Sequence, residues 1–221
     1  MRRCLLRLCI QCVMLAIACQ PTPSLSGLPF RDDFSDPNSG WTTTDTDQLR
    51  IAYQDGALHF VIDALDSTAW AVAGKQAADF ILDVDATQID GPDDNHYGVI
   101  VRYADNKNFY RLDISGDGYY SLWRYANGEW EKRADWQESA AIRQGATTNH
   151  LRVIAEGPRL TLVVNGTIVG QIEEADILVG DVGLTAGSFF DQAGVHVAFD
   201  NFEVNPLSHP QMGTTSGAPA P

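Results

Sequence analysis

Apolar and polar residues alternate with a period of two along most of this chain, in short runs cut by turn dipeptides, which is the pattern of half-buried β-strands. Such runs fall at 49–53, 58–62, 68–73, 80–89, 97–103, 108–115, 119–125, 129–134, 150–155, 159–164, 167–172, 183–186 and 195–204. Asp55-Gly56, Asp90-Gly91, Asp117-Gly118, Asn127-Gly128 and Asn165-Gly166 separate them. The stretch 97–136 reads as four consecutive strands, an antiparallel meander with aromatic residues on both faces. Asn127-Gly128 predicts a type I′ hairpin, because Asn and Gly best tolerate positive φ at both central positions. That turn sets Ala126 opposite Glu129 and Tyr125 opposite Trp130, an aromatic pair worth roughly 0.2–1 kcal/mol. Residues 135–144 and 173–177 read as helical turns or short helices, neither long enough to cover a sheet. The pattern therefore predicts an all-β fold, a two-sheet antiparallel sandwich.

The chain opens differently. Arg2, Arg3 and Arg7 lead into an apolar run, 8–18, that is too short to span a bilayer and ends in small residues, so 1–18 reads as a secretory signal peptide. The sequence Leu15-Ala16-Ile17-Ala18-Cys19 resembles the lipobox of bacterial lipoproteins, with Ala16 where Leu is usual. The resemblance implies a lipidated Cys19, palmitate among its acyl groups, and an exported protein of the bacterial cell envelope held at the membrane through its N-terminal lipid alone. Cys4, Cys9, Cys12 and Cys19 are all the cysteines there are, so the body has neither disulfide nor thiolate metal site. Residues 19–29 are rich in Pro, Ser and Thr and read as a flexible linker, and 205–221, with four prolines, as a disordered tail. One domain is expected over 30–204. Its charge is strongly negative: without the three leading arginines, 12 basic residues face 29 acidic ones, a net −17. Nucleic acid and anionic lipid surfaces are excluded as partners on that balance.

Three stretches carry a family resemblance. Phe30-Arg31-Asp32-Asp33-Phe34 with Gly40-Trp41, Tyr97-Gly98-Val99-Ile100-Val101-Arg102-Tyr103 with Asn108-Phe109-Tyr110-Arg111-Leu112, and Phe199-Asp200-Asn201-Phe202-Glu203-Val204 resemble the concanavalin A-like (laminin G-like) jelly rolls of bacterial surface proteins. They are similar in particular to the 3-keto-disaccharide hydrolase-like domain type. The resemblance implies a jelly-roll sandwich with one concave sheet and with the first and last strands side by side.

Glycoside hydrolysis requires a pair of carboxylates across the scissile bond. The Glu-x-Asp-x-x-Glu strand motif of family 16 glucanases has its nearest match at Glu174-Ala175-Asp176, with Val179 in place of the second Glu. Asp83, Asp85 and Asp113 lie on strands where pairing across a sheet is conceivable, though alternate acids more often mark a solvated face. His59, His96, His150, His196 and His209 lack metal-ligand spacing and no Gly-x-Ser-x-Gly occurs, so no catalytic residue is assigned. For a metal, Asp32 and Asp33 on the first strand and Asp200 on the last offer hard oxygen ligands for Ca2+ if those strands pair. For binding, Tyr119, Ser121, Trp123 and Tyr125 share one face of a strand, and Trp130 and Lys132 extend it across the hairpin. Arg102 and Arg111 interrupt apolar sequence nearby, with Asp113 placed to pair with Arg111. The expected ligand residues are Arg102, Arg111, Asp113, Tyr119, Trp123, Tyr125 and Trp130; the competing reading packs the Trp-bearing face into the core. Three functions are open at this point: a non-catalytic envelope lipoprotein binding carbohydrate or a surface polysaccharide, a glycoside-acting hydrolase, and a structural or adhesion module without a small ligand.

Overall fold

The computed structural model describes residues 27–207. The expected signal peptide, Cys19, all but the end of the linker and most of the tail lie outside them. Fifteen strands follow one another: β1 (Phe30–Asp32), β2 (Thr44–Asp45), β3 (Leu49–Gln54), β4 (Ala57–Ile62), β5 (Thr68–Val72), β6 (Phe80–Asp90), β7 (Asn95–Asp105), β8 (Asn108–Ile114), β9 (Tyr119–Ala126), β10 (Glu129–Glu138), β11 (Thr148–Glu156), β12 (Arg159–Val164), β13 (Thr167–Glu173), β14 (Asp181–Ser188) and β15 (Val195–Pro206). Their ladders are antiparallel. Nine strands make one sheet, in the order β13-β12-β11-β6-β15-β4-β3-β2 with β1 also on β15, and six make the other, β10-β9-β8-β7-β14-β5. This is the two-sheet sandwich that the alternation predicts, with the first and last strands paired, Phe30 opposite Val204.

The hairpins follow from local chemistry. Asn127 and Gly128 take φ of 55° and 89°, and the register sets Ala126 against Glu129 and Tyr125 against Trp130. Two expectations fail. Residues 135–138 continue β10, which shifts register between Lys132 and Ala134 and again between Ala134 and Gln137, so the apparent helical spacing is that of an irregular strand. Residues 174–177 are likewise not helical; β13 ends at Glu173. The domain also runs two residues past 204, since Asn205 and Pro206 pair with Ile81 and Phe80.

Strand β6 shows the period most clearly: Phe80, Leu82, Val84 and Ala86 are fully buried while the residues between them are partly exposed. Together with Phe60, Leu151, Leu162, Val197 and Phe199 they meet Val99, Leu112, Leu122 and Leu184 of the six-stranded sheet, all fully buried. Each such side chain contributes about 1.5–3 kcal/mol by leaving water. The six-stranded sheet departs from simple alternation, because nearly every residue of β7 and β8 is buried on both faces. Its outer face is therefore covered by its own long side chains, and those make the candidate site.

Candidate functional site

With Val99, Leu112 and Leu122 turned to the core, period two sends His96, Gly98 and Ile100 of β7, Phe109, Arg111 and Asp113 of β8, and Ser121, Trp123 and Tyr125 of β9 to the outer face. Register aligns them in rows: Gly98, Asp113 and Ser121 in one, Ile100, Arg111, Trp123 and Lys132 in the next, Phe109, Tyr125 and Trp130 in a third. The Trp-bearing face is thus the outer one, and the core reading of it is set aside. Phe109, fully buried, is the hub of an aromatic belt, with ring centroids 5.4 Å from Trp70, 5.2 Å from Tyr125 and 5.8 Å from Trp130. Trp130 is 38% exposed, and Trp123 stands edge-on to it at 6.5 Å.

Beneath this belt lies buried charge. Arg111 Nε is 2.6 Å from Asp113 Oδ2, and the guanidinium lies 4.2 Å from the Trp130 ring centroid, a cation–π contact. Arg111 Nη1 donates to Thr68 Oγ1 at 3.3 Å, and that hydroxyl is 3.1 Å from His96 Nε2. Burial, reinforced by the Arg111 charge, holds the His96 imidazole well below its ordinary pKa, so it is neutral. A neutral ring that accepts the Thr68 proton at Nε2 carries its own proton on Nδ1, which faces Asp113 Oδ1 across 4.0 Å. Burial raises Asp113 to about 6 despite the opposing pull of Arg111. Arg111 and Asp113 satisfy each other as a buried ion pair, while His96 Nδ1 is buried with no partner at hydrogen-bonding distance.

At the loop end of the same sheet opens a cavity of about 590 Å³. Tyr119, Trp136, Phe189 and Phe190 supply its aromatic walls, and Asp94, Asp117 and Asp191 its carboxylates. Phe189 ties the cavity to the sheet face, its ring 5.6 Å from His96 and 5.9 Å from Trp136. Burial, and then the charges of Asp117 and Asp191, raise the Asp94 pKa.

The structure thus brings Arg111, Asp113, Trp123, Tyr125 and Trp130 together and sets Tyr119 in the adjoining cavity. Arg102 it takes elsewhere. That residue has φ of 53° at a register shift in β7, and the bulge inverts the phase of the strand: Tyr103 stacks on Phe109, while the Arg102 guanidinium donates to the carbonyls of Gly157, Glu174 and Ile177. Arg102 is a structural clamp between loops. The calcium expectation also finds no support in the coordination: Asp32 is buried and accepts from Phe34 N and Trp41 Nε1, Asp33 accepts from Ser35, and Asp200 from Asn201 N. Among the described residues no three His, Cys, Asp or Glu side chains form a group able to hold a metal ion. Asp83 and Asp85 face solvent on the nine-stranded sheet beside His150, so neither pairs with Asp113. Sequence reading missed Phe109, which the two-residue step from Arg111 would have given, Trp70 and His96, which only the β5-β14-β7 neighbourhood assembles, and Trp136 and Phe189, which meet only at the loop-end cavity.

The family model for the 3-keto-alpha-glucoside-1,2-lyase-like domain matches residues 30–205. No curated protein sequence matches the chain significantly. Among solved structures, the chain is similar to the carbohydrate binding module CBM66 from Bacillus subtilis, with 20% identity, a TM-score of 0.62, and coverage of 76% of this chain and 96% of that one. It is similar to a protein of unknown function with a galectin-like fold from the same organism, at 11% identity and TM-score 0.62 over 80% and 94% of the two chains. The GH43 protein BlXynB from Bacillus licheniformis gives 15% identity and TM-score 0.61 over 80% of this chain but only 39% of that one. At these identities the likeness concerns the fold, a jelly-roll sandwich.

Proposed function

We propose, from the premise that the chain belongs to the 3-keto-alpha-glucoside-1,2-lyase-like domain family, that the outer face of its six-stranded sheet binds carbohydrate without cleaving it. The observation that carries this reading is the aromatic belt of Trp70, Phe109, Trp123, Tyr125 and Trp130 on the outer face, with Trp130 38% exposed and backed by the buried Arg111–Asp113 pair. A sugar has C–H patches that lie on aromatic rings and hydroxyls that seek partners at their edge; Trp123 and Trp130 supply the rings here, and Lys132, 5.5 Å from the Trp123 ring centroid, a polar group beside them. The similarity to a carbohydrate binding module supports the same reading. Affinity electrophoresis of the full chain through a panel of polysaccharides tests it. Retardation on at least one glycan is expected, weakened about tenfold by Trp130→Ala or Trp123→Ala. Retardation on none, or retardation that both variants leave unchanged, overturns it.

A second reading has one observation in its favour. The family description names a 1,2-lyase acting on a 3-keto-glucoside, and elimination there needs a base for the proton beside the ketone; Asp113, raised to about 6 and next to Arg111, has suitable acidity. Against it, Asp113 is completely buried, so substrate would have to displace Arg111 or Trp130 first. Turnover of a 3-keto-disaccharide that Asp113→Asn abolishes would establish the lyase.

We further propose that Cys19 carries the lipid and anchors the domain in the cell envelope, on the strength of the sequence from Leu15 to Cys19. Radiolabelled palmitate should be incorporated by the full chain and not by Cys19→Ser; equal labelling of both would exclude the anchor.

A further inference from the structure

The loop-end cavity has a composition that the sheet face does not share. Asp94, Asp117 and Asp191 stand around it, and no Lys or Arg lines it. Asp117 accepts from the Ser115 hydroxyl, but among the described residues neither Asp94 nor Asp191 makes a hydrogen bond or an ion pair. Three carboxylates of one sign near each other repel, and nothing in the wall offsets them. The aromatic side of the cavity is equally distinct. Trp136 and Phe189 meet edge to face at 5.9 Å, and Phe190, 78% exposed, extends over the mouth, an arrangement that leaves a large apolar ring in water at the entrance. Rings and uncompensated carboxylates together favour one ligand chemistry. A neutral hydroxyl can donate to one carboxylate but leaves the repulsion among the three unrelieved, a bare metal ion gains nothing from the rings, and an anion is repelled.

We propose that this cavity binds an organic ammonium group, and that in the protein's carbohydrate ligand the group is the protonated amine of an amino sugar. The ammonium end would lie on the carboxylate side of the cavity, near Asp94, Asp117 and Asp191, with its C–H neighbours against Trp136, Phe189 and Phe190. The Phe189–His96 contact places that end beside the sheet face, so one oligosaccharide spans both. The sugar part of this inference rests on the carbohydrate reading of the sheet face; the ammonium part rests on the cavity alone.

Titration calorimetry of the full chain with a fully deacetylated glucosamine oligomer, its N-acetylated counterpart, a neutral glucose oligomer and choline separates these parts. The deacetylated oligomer should bind roughly tenfold or more tightly than the acetylated one, and the preference should shrink as salt rises. Asp94→Asn with Asp191→Asn, both exposed and free of structural bonds, should erase the preference, and Phe190→Ala should reduce it, while the melting temperature stays put. Choline binding as well as the glucosamine oligomer, with no binding of the neutral oligomer, would keep the ammonium site and end the sugar assignment. Neutral and deacetylated oligomers binding alike, with no effect of the Asp94 and Asp191 changes, would keep the sheet-face reading and overturn the ammonium site. No binding of any of the four overturns the ammonium site, and the sheet-face reading then stands or falls on the polysaccharide panel.

Discussion

At the scale of single residues, Arg111 and Asp113 form an unequal pair. Burial outweighs the Arg111 attraction and raises Asp113 to about 6, above the roughly 3.9 of an unfolded Asp. Between about pH 4 and about pH 6 the folded chain keeps a proton there that the unfolded chain has lost, so stability falls as pH rises through that window. Asp113→Asn has no proton to lose. Urea melts at intervals of pH should show the stability of wild type relative to Asp113→Asn declining from pH 4 to 6; His59 and His196, whose lowered pKa values act in the opposite sense, are remote from the change and drop out of the difference, and His96→Gln in both backgrounds removes the imidazole that faces Asp113. Arg111→Met strands the carboxyl and Asp113→Asn strands the guanidinium, so at neutral pH each should cost about 3–5 kcal/mol, most of the Arg111→Met loss being recovered by adding Asp113→Leu. A flat difference curve, or an Arg111→Met loss that Asp113→Leu does not recover, would contradict this account. The pairing itself was legible in the sequence from the i, i+2 spacing on a strand. The direction of the imbalance was not, because it depends on Trp130 and Trp123 covering the pair from the next two strands.

Strands and turns show where local pattern suffices and where it fails. Asn127-Gly128 and Asn165-Gly166 were readable because two residues fix each turn, whereas 135–144 misled because bulges at 132–137 disturb the period that separates strand from helix. Arg102 misled for a related reason: a bulge turned one expected ligand residue away from the site. Two glycines separate turn geometry from sheet geometry experimentally. Gly166, at φ +84° with nothing within 4 Å of an added Cβ, meets only backbone strain, and Gly166→Ala should cost about 1 kcal/mol and leave glycan binding intact. Gly98 lies in β7 opposite Asp113, and an added Cβ would fall 2.2 Å from the Leu112 carbonyl oxygen, so β7 and β8 must part. Gly98→Ala should cost about 1–3 kcal/mol by chemical melts and also weaken binding, since it shifts Arg111 and Asp113. Unimpaired binding by a destabilised Gly98→Ala would place the ligand off the β7–β8 face.

For the molecule as a whole, the sandwich divides its five tryptophans by task. Trp41, only 5% exposed, belongs to the core: its indole donates to Asp32 Oδ2 at 2.9 Å and it meets Phe202 edge-on at 4.9 Å, which locks the first strand to the last. Trp70, Trp123, Trp130 and Trp136 gather on the other sheet's outer face and at its loop end, although they come from three strands spread over 67 residues of sequence. Alternation along one strand says that such residues share a face, but only the strand order joins Trp70 on β5 to Phe109 on β8, through β14 and β7. The division is measurable by intrinsic fluorescence. Trp41→Phe removes the indole donor to a buried carboxylate and should lower stability by about 1–3 kcal/mol while the spectral change on adding a bound glycan persists. Trp130→Phe should do the reverse, reducing that change and leaving the melting temperature within a few degrees, because a 38% exposed ring has less burial to lose. If the glycan response vanished with Trp41 in a protein still folded, ligand would have to act through the sandwich interior, and the separation of core from recognition face that this strand order creates would be wrong.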